Sequence, residues 1–535
     1  ESKFVTMNGK AIALWLLVAA AGLAGCSDRE VYKDPAAGVE DRVEDLLGRM
    51  TLEEKVMQVT QWTYGKNMNV NNVESETKAV SPMIGSLLYR STSPAYYNRI
   101  QRKAVEESRL GIPILCGFDV IHGYRTIFPI PLGQACSWNE TLVAESCRIA
   151  ARESRLSGVH WTFSPMVDVA RDARWGRVSE GYGEDPYLNG MMGVAAVKGY
   201  QGDDLTADGA IAACLKHFVG YAHSDGGRDY HYTEISPQTL WDTALPPFEM
   251  GVKAGAATVM SAFNDISGVP ASANRYTMTD ILRGMWGFDG LVVSDWDAVK
   301  QLIAQGVAAD RAEAAAKAIT AGLDMDMVDD VYRENLEALV ESGRVPEKVL
   351  DEAVRRILRV KFRLGLFENP YIEELPDEQR YLSTEARAAA RELAAESMVL
   401  LKNRGRTLPV AGDVRRIALM GPMADNRADL MGSWWGQGEA DDVVTILEGV
   451  KAEFAGKARI DYVQGCDFDG DDRSGFARAA VAARSADLVV LCMGEKRGWS
   501  GENASRASLA LPAIQEEFVR EMARMGRPVV VLLSS

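Results

Sequence analysis

Residues 290–296 read Gly290-Leu291-Val292-Val293-Ser294-Asp295-Trp296, a short apolar run that ends in an acid and an aromatic. Runs of this length rich in branched residues predict a buried strand. Similar runs lie at residues 83–88, 112–118, 161–167, 211–218, 257–262 and 323–325, and amphipathic stretches at 139–156, 239–254 and 310–321 predict helices between them. Strands alternating with helices point to a parallel α/β sheet. Several runs end in polar residues, namely Asp119, Asp168, Lys216-His217, Asn264 and Asp295. In a (β/α)8 barrel the carboxyl ends of the strands face the active site, so this distribution fits a TIM-like barrel enzyme. A doubly wound open sheet accounts for the same periodicity.

The barrel-like stretch, residues 27–365, closes with an amphipathic segment at 349–364 carrying Val354, Ile357, Leu358 and Phe362 on one side. Residues 366–383, acidic and broken by Pro370 and Pro376, read as a linker. An alanine-rich helix then opens at 384, and apolar runs at 416–420, 486–493 and 528–533 predict a second, smaller α/β sandwich domain over 384–535. Its last run ends on Ser534-Ser535 with no polar exit, so the domain reads as incomplete. At the other end, Lys10, an apolar run and Leu23-Ala24-Gly25-Cys26 follow Met7. That order resembles a bacterial lipoprotein leader over residues 1–26, with Cys26 lipidated and the protein exposed to the periplasm or anchored to the outer membrane.

The 535 residues carry 59 Lys and Arg against 75 Asp and Glu, a formal charge of −16. An acidic balance argues against nucleic acid as a partner, because that affinity rests on clustered cations. The only membrane attachment expected is the lipid anchor. With five histidines there is no HExxH and no Cys/His cluster at zinc spacing, so no metal is expected; GxSxG and Walker A motifs are absent too. The glycines at 432, 436 and 438 do not follow a strand directly, so no dinucleotide cofactor is expected either. Besides Cys26, six cysteines (116, 136, 147, 214, 466 and 492) sit mostly in apolar runs and read as buried free thiols.

Carboxylates are the promising chemistry. An acid at a strand end followed by Trp296 suits attack on an anomeric carbon beside a flat apolar face, although Asp is equally a preferred helix cap. Lys216 and His217 suit donation to sugar hydroxyls, yet adjacent strand residues point to opposite faces and reach one ligand only where a strand frays.

Taken together, the segments resemble glycoside hydrolase family 3, in particular its bacterial periplasmic β-glucosidases. They are Gly117-Phe118-Asp119-Val120-Ile121-His122-Gly123, Pro165-Met166-Val167-Asp168, Arg171 to Arg177, Gly183-Glu184-Asp185-Pro186, Cys214-Leu215-Lys216-His217-Phe218, Val293-Ser294-Asp295-Trp296, Gly432-Ser433-Trp434 and Ser500-Gly501-Glu502. The resemblance implies a (β/α)8-type barrel followed by an α/β sandwich domain, and a retaining, exo-acting hydrolysis of β-linked gluco-oligosaccharides. By motif match, Asp295 is implied as the nucleophile and Glu502 as the acid/base. Asp119, Arg177, Lys216 and His217 are implied to hold the hydroxyls of the −1 sugar, and Trp296 and Trp434 to wall the site. Lys, Arg and His around Asp295 are expected to hold its pKa low, and a less charged site to raise that of Glu502.

The loop after His217 departs from one branch of the family. β-N-Acetylglucosaminidases take their acid/base from an Asp-x-His pair there; Asp229 and His231 have that spacing, but the flanking residues do not match, and Arg228-Asp229-Tyr230 resembles the β-glucosidase branch. Asp119 favours glucose, since branches acting on xylose or arabinose more often carry glutamate at that position. β-Xylosidase, β-N-acetylglucosaminidase and a non-catalytic carbohydrate-binding lipoprotein are the alternatives.

Overall fold

The computed structural model describes residues 30–63 and 80–535; the leader and Cys26 lie outside the described residues. Residues 30–49 form a small unit by themselves, a turn at Val31–Lys33 and the helix Val39–Arg49, with Arg42 Nε donating to the Tyr32 carbonyl at 2.9 Å.

From residue 50 onward the first region holds, among the described residues, eight parallel strands: β1 (Thr60–Thr63), β2 (Ser86–Leu88), β3 (Leu115–Phe118), β4 (Trp161–Thr162), β5 (Cys214–Phe218), β6 (Thr258–Ser261), β7 (Leu291–Val293) and β8 (Asp326–Met327). The pairings run from β1 through β2 and β3 to β4. Bridges Trp161–Ala212 and Met166–Lys216 carry them to β5. They continue through β6 to β7, cross to Met325 beside β8, and return from β8 to β1. Helices separate the strands and begin on identifiable caps. Ser93 and Asp185 accept from the third residue of helices that open on Pro94 and Pro186, and Asn139 does the same for Glu140–Arg155. The strands are shorter than their apolar runs, because residues such as Ile112 and Ile114 are buried outside the ladder. β1 is absent from the sequence reading: its Thr60 and Gln61 are polar, and both are buried, Thr60 Oγ1 donating to the Val56 carbonyl and Gln61 Nε2 to Ser86 Oγ. The segment expected as one helix over 239–254 is interrupted by a π-turn, Leu240–Ala244, ahead of Pro246–Lys253.

The second region is a four-stranded parallel sheet, β9 (Arg416–Met420), β10 (Arg459–Val463), β11 (Leu488–Gly494) and β12 (Val529–Ser534), in the order β10-β9-β11-β12. Alternate residues face opposite layers. Ala418, Met420, Val489 and Leu491 pack with Ala483, Ile514 and Phe518 on one side. Ile417, Leu419, Leu488 and Val490 pack with Leu447 and Phe468 on the other. Residues 366–383 are pinned to the first region: Asn98 exchanges two hydrogen bonds with the Ile372 backbone, and Tyr97 Oη donates to the Pro370 carbonyl at 2.9 Å. The six cysteines after Cys26 are free; five are buried, but Cys136 is exposed at a helix end, where its short apolar run gives out. No helix among the described residues is long and apolar enough to cross a membrane.

One buried carboxylate ties β7, β8 and the amphipathic helix Glu347–Arg363 together. Asp324 Oδ2 accepts from Arg283 Nη2 at 2.6 Å and from the Val292 amide at 2.8 Å, while Oδ1 accepts from Arg356 Nη1 at 2.7 Å. Removing one member of such a buried pair strands the other charge, at a cost of about 3–5 kcal/mol. Asp324→Ala is therefore expected to lower stability by that amount in chemical denaturation, with Asp324→Asn intermediate.

Candidate active site

A cavity of about 590 Å³ opens where loops from both regions meet, lined among others by Asp119, Arg177, Lys216, Asp295, Trp296, Trp434 and Glu502. Seven of the eight residues expected at the site thus line one cavity, and His217 stands directly behind it. These side chains follow the carboxyl ends of parallel strands: Asp119 comes after β3, Lys216 and His217 lie in β5, and Asp295 follows β7. The second region adds two loops of the same kind, Trp434 after β9 and Glu502 after β11. Ligand sites of parallel sheets gather at these ends.

Asp295 is buried, 7% exposed. Its Oδ1 accepts from the Trp296 amide at 2.7 Å; Oδ2 lies 3.6 Å from His217 Nε2 and has no hydrogen-bond partner among the described residues. Arg177 lies beside it, fully buried, with Nε and Nη2 forked onto Glu180 at 2.7 and 3.0 Å. Its Nη2 also donates to His217 Nε2 at 2.9 Å, and its Nη1, otherwise unpartnered, stands 3.6 Å from Glu502 Oε1. Because a guanidinium only donates, His217 Nε2 is an acceptor and the ring proton sits on Nδ1, where it meets Asp168 Oδ2 at 2.8 Å. Burial, with Arg177 and Lys216 nearby, pushes the His217 pKa well down, so the ring is neutral. Burial likewise pushes Asp168 up, to about 7.

Lys216 Nζ donates to Asp119 Oδ1 at 3.1 Å, lies 3.8 Å from Glu180 Oε2 and sits over the Trp434 ring at 5.4 Å. Burial opposes its charge, but Asp119 and Glu180 outweigh that and raise its pKa. Both Lys216 and His217 join this network from inside β5 without any fraying. The strand has a register irregularity between Leu215 and Phe218, which breaks its strict alternation.

Two electrostatic expectations are corrected. Asp295 does not have a low pKa. Burial raises it to about 8 and the Glu502 carboxylate adds to the rise, against the pull of Arg177 and Lys216. The neighbouring cations are already neutralised by Glu180 and Asp119, so desolvation wins. Nor is Glu502 in a charge-poor place: its side chain is 27% exposed, faces Arg177 and accepts from Tyr230 Oη at 2.6 Å.

Sequence reasoning gives no site role to Glu180 or Tyr230, and marks Asp168 only as a strand-end acid within a motif. Glu180 stands three residues after Arg177, the spacing of a helical ion pair, and that was the one available signal. The Asp229–His231 pair is not formed. Asp229 Oδ1 accepts from Trp175 Nε1 and Tyr221 Oη at 2.9 and 2.6 Å, Oδ2 accepts from the Asn503 amide at 2.7 Å, and His231 Nδ1 has no partner among the described residues.

Residues 51–360 match the family described as the glycosyl hydrolase family 3 N terminal domain, and residues 398–535 its C-terminal domain. A periplasmic beta-glucosidase of Salmonella typhimurium is 37% identical over 516 residues, covering 92% of this chain and 67% of its own. A beta-xylosidase of Formosa agariphila is 34% identical, covering 86% of this chain and 68% of its own. The crystal structure of a mutant beta-glucosidase from Listeria innocua in complex with laminaribiose superposes with a TM-score of 0.86 at 38% identity, covering 92% of this chain and 69% of that one. Matched in both of its regions and along most of its length, the chain belongs to glycoside hydrolase family 3 and is a glycoside hydrolase.

Proposed function

We propose that this hydrolase is a retaining, exo-acting β-glucosidase that removes terminal glucosyl residues from short β-linked gluco-oligosaccharides, with Asp295 as nucleophile and Glu502 as acid/base. The observation that carries the assignment is a pair of buried polar atoms with no hydrogen-bond partner among the described residues, Asp295 Oδ2 and Arg177 Nη1, both on side chains that line the cavity and the latter 3.6 Å from Glu502 Oε1. Buried polar atoms are almost always satisfied, and those left over at a pocket mark where a ligand binds. The circuit of eight parallel strand pairings supports reading the first region as a (β/α)8 barrel, and the second region's three layers support an α/β sandwich that contributes Glu502.

In the first step Asp295 Oδ2 attacks the anomeric carbon while Glu502 gives its proton to the departing glycosidic oxygen, leaving a glucosyl ester on Asp295. In the second, Glu502 takes a proton from water, the oxygen of that water bonds to the same carbon, and the ester bond breaks to restore the carboxylate. Two carboxyl groups about 5–5.5 Å apart suffice for this pathway. Lys216 and Asp119 hold hydroxyls on one flank of the sugar and Arg177 on the other, with His217, expected to hold a hydroxyl but with both ring nitrogens spent on Arg177 and Asp168, fixing Arg177 from behind; Trp296 with Trp434 cover the apolar faces. Asp119 supports glucose through its 4- and 6-hydroxyls. β-Xylosidase is the second reading, favoured by the Formosa agariphila relative. The order of charged, apolar and small residues before Cys26 supports lipidation there, and the relative named periplasmic supports the same compartment for this chain.

Asp295→Ala is expected to lower turnover of p-nitrophenyl β-glucoside by at least ~10³-fold, as loss of a covalent nucleophile does. Glu502→Ala is expected to lower it ~10²–10⁴-fold, with azide restoring part of the rate and yielding β-glucosyl azide. Wild-type turnover by either variant overturns that residue's role, and a higher kcat/KM on the β-xyloside moves the substrate to xylose.

The raised pKa of Asp295 also sets a pH limb. The nucleophile must be ionised, so kcat/KM on 2,4-dinitrophenyl β-glucoside, whose aglycone leaves without a proton, is expected to fall as pH drops below about 8. Glu502→Gln removes a negative charge that raises that pKa, so the limb is expected to move to lower pH; a rate profile across pH 5–9 reads the shift.

A further inference from the structure

The loop carrying Glu502 is fastened mainly to the other region of the protein. Gly501 donates its amide to the Gly176 carbonyl at 2.7 Å, Gly176 donates to the Ala504 carbonyl at 2.9 Å, and Arg506 donates to the Arg174 carbonyl at 2.8 Å. This is a short antiparallel ladder centred on the Trp175–Ser505 bridge. The approach is close enough that a Cβ on Gly176 would sit 2.4 Å from the Ala504 oxygen.

Asp229 adds two fastenings, one on either side of Ala504. Its carboxylate takes the Asn503 amide at 2.7 Å, and its own amide donates to Ser505 Oγ at 3.1 Å. The other carboxylate oxygen is anchored in the first region by Trp175 Nε1 and Tyr221 Oη. Next to it, Tyr230 holds the Glu502 carboxylate itself through its hydroxyl at 2.6 Å. Its ring packs edge-on against Phe263, with centroids 5.2 Å apart. Two consecutive residues of one loop thus grip the Glu502 carboxylate, 272 positions further on, and the backbone amide of its neighbour Asn503.

We propose that Asp229 and Tyr230 are positioning residues for proton transfer: the loop at 229–230 of the first region, rather than the fold of the second, sets where Glu502 stands. The inference rests on Glu502 being the acid/base. Its signature is selective. Misplacing a proton donor slows departure of poor leaving groups and spares those that leave unaided, whereas general damage to the pocket slows both.

The test compares kcat/KM on phenyl β-glucoside and on 2,4-dinitrophenyl β-glucoside for the full chain and for Asp229→Ala, Asp229→Asn, Tyr230→Phe and Glu502→Ala. Asp229→Asn keeps an acceptor for Trp175 and Tyr221 while setting an amide group against the Asn503 N–H, so it isolates the fastening if Asp229→Ala does not fold. Expected are losses of about 10–100-fold on the phenyl glucoside for the Asp229 variants and about 3–10-fold for Tyr230→Phe, each with less than about threefold on the dinitrophenyl glucoside. Equal losses on the two substrates, or none on either, overturn the inference. Glu502→Ala reads the underlying assignment separately. If it fails to discriminate between the substrates, Glu502 is not the proton donor and both readings fall; if it discriminates while the Asp229 and Tyr230 variants do not, only the positioning role falls.

Discussion

Glu180 is the counter-charge on which the site is built. It is 1% exposed, forks onto Arg177 and lies 3.8 Å from Lys216, so one buried carboxylate answers two buried cations. Without it, Arg177 would leave water with no partner for most of its donors, a penalty of several kcal/mol. With it, Arg177 is held in one orientation, and that orientation fixes His217: Nε2 must accept, so Nδ1 must donate to Asp168. The chain Glu180–Arg177–His217–Asp168 thereby aligns the floor of the cavity before any sugar arrives.

The same neutralisation shapes Asp295. A sequence shows which charges are near one another in a motif, but not which are already spent. Arg177 and Lys216 look like two free cations around an acid; in the fold each is balanced by another carboxylate, and burial decides the outcome. Glycosides are neutral, so their binding brings no counter-ion. What they bring is hydroxyls, which can satisfy the donors and acceptors left at the cavity wall.

The motif residues were legible because strand-end chemistry is local: an apolar run followed by Asp119, Lys216 or Asp295 announces itself within a few residues. The family resemblance then supplied the pairing of Asp295 with Glu502, which no spacing contains. Less legible was the strand Thr60–Thr63, whose first two residues are polar yet buried, Gln61 Nε2 donating to Ser86 Oγ 25 positions on. The edge strand Arg459–Val463 was missed for a different reason, since it is only partly buried and shows no continuous apolar run. The spacing of Asp229 and His231 offers a dyad that the flanking residues argue against, but nothing local names the actual partners of Asp229, which are Trp175, Tyr221 and Asn503. Contacts across 274 positions are a property of docking, and docking is not written in periodicity.

That docking is local on both sides of the cavity. Around Trp434, His122 Nε2 meets the Ser433 carbonyl at 2.7 Å, and Gln437 donates its amide to the Tyr124 carbonyl at 2.7 Å. Slightly further out, Arg125 reaches Asp442 at 2.8 Å. Around Glu502 the ladder to Arg174–Gly176 and the Asp229 carboxylate do the same. A cavity residue supplied by a second region would otherwise inherit every small rotation of that region, and in enzymes generally a misplacement of about 1 Å is enough to cost ~10²-fold in rate. Fastening each loop directly to the region that carries Asp295 removes that dependence: the sheets can shift slightly against one another while the few residues at the cavity keep their distances. The second region then needs only to present its loops, and the first determines where they come to rest.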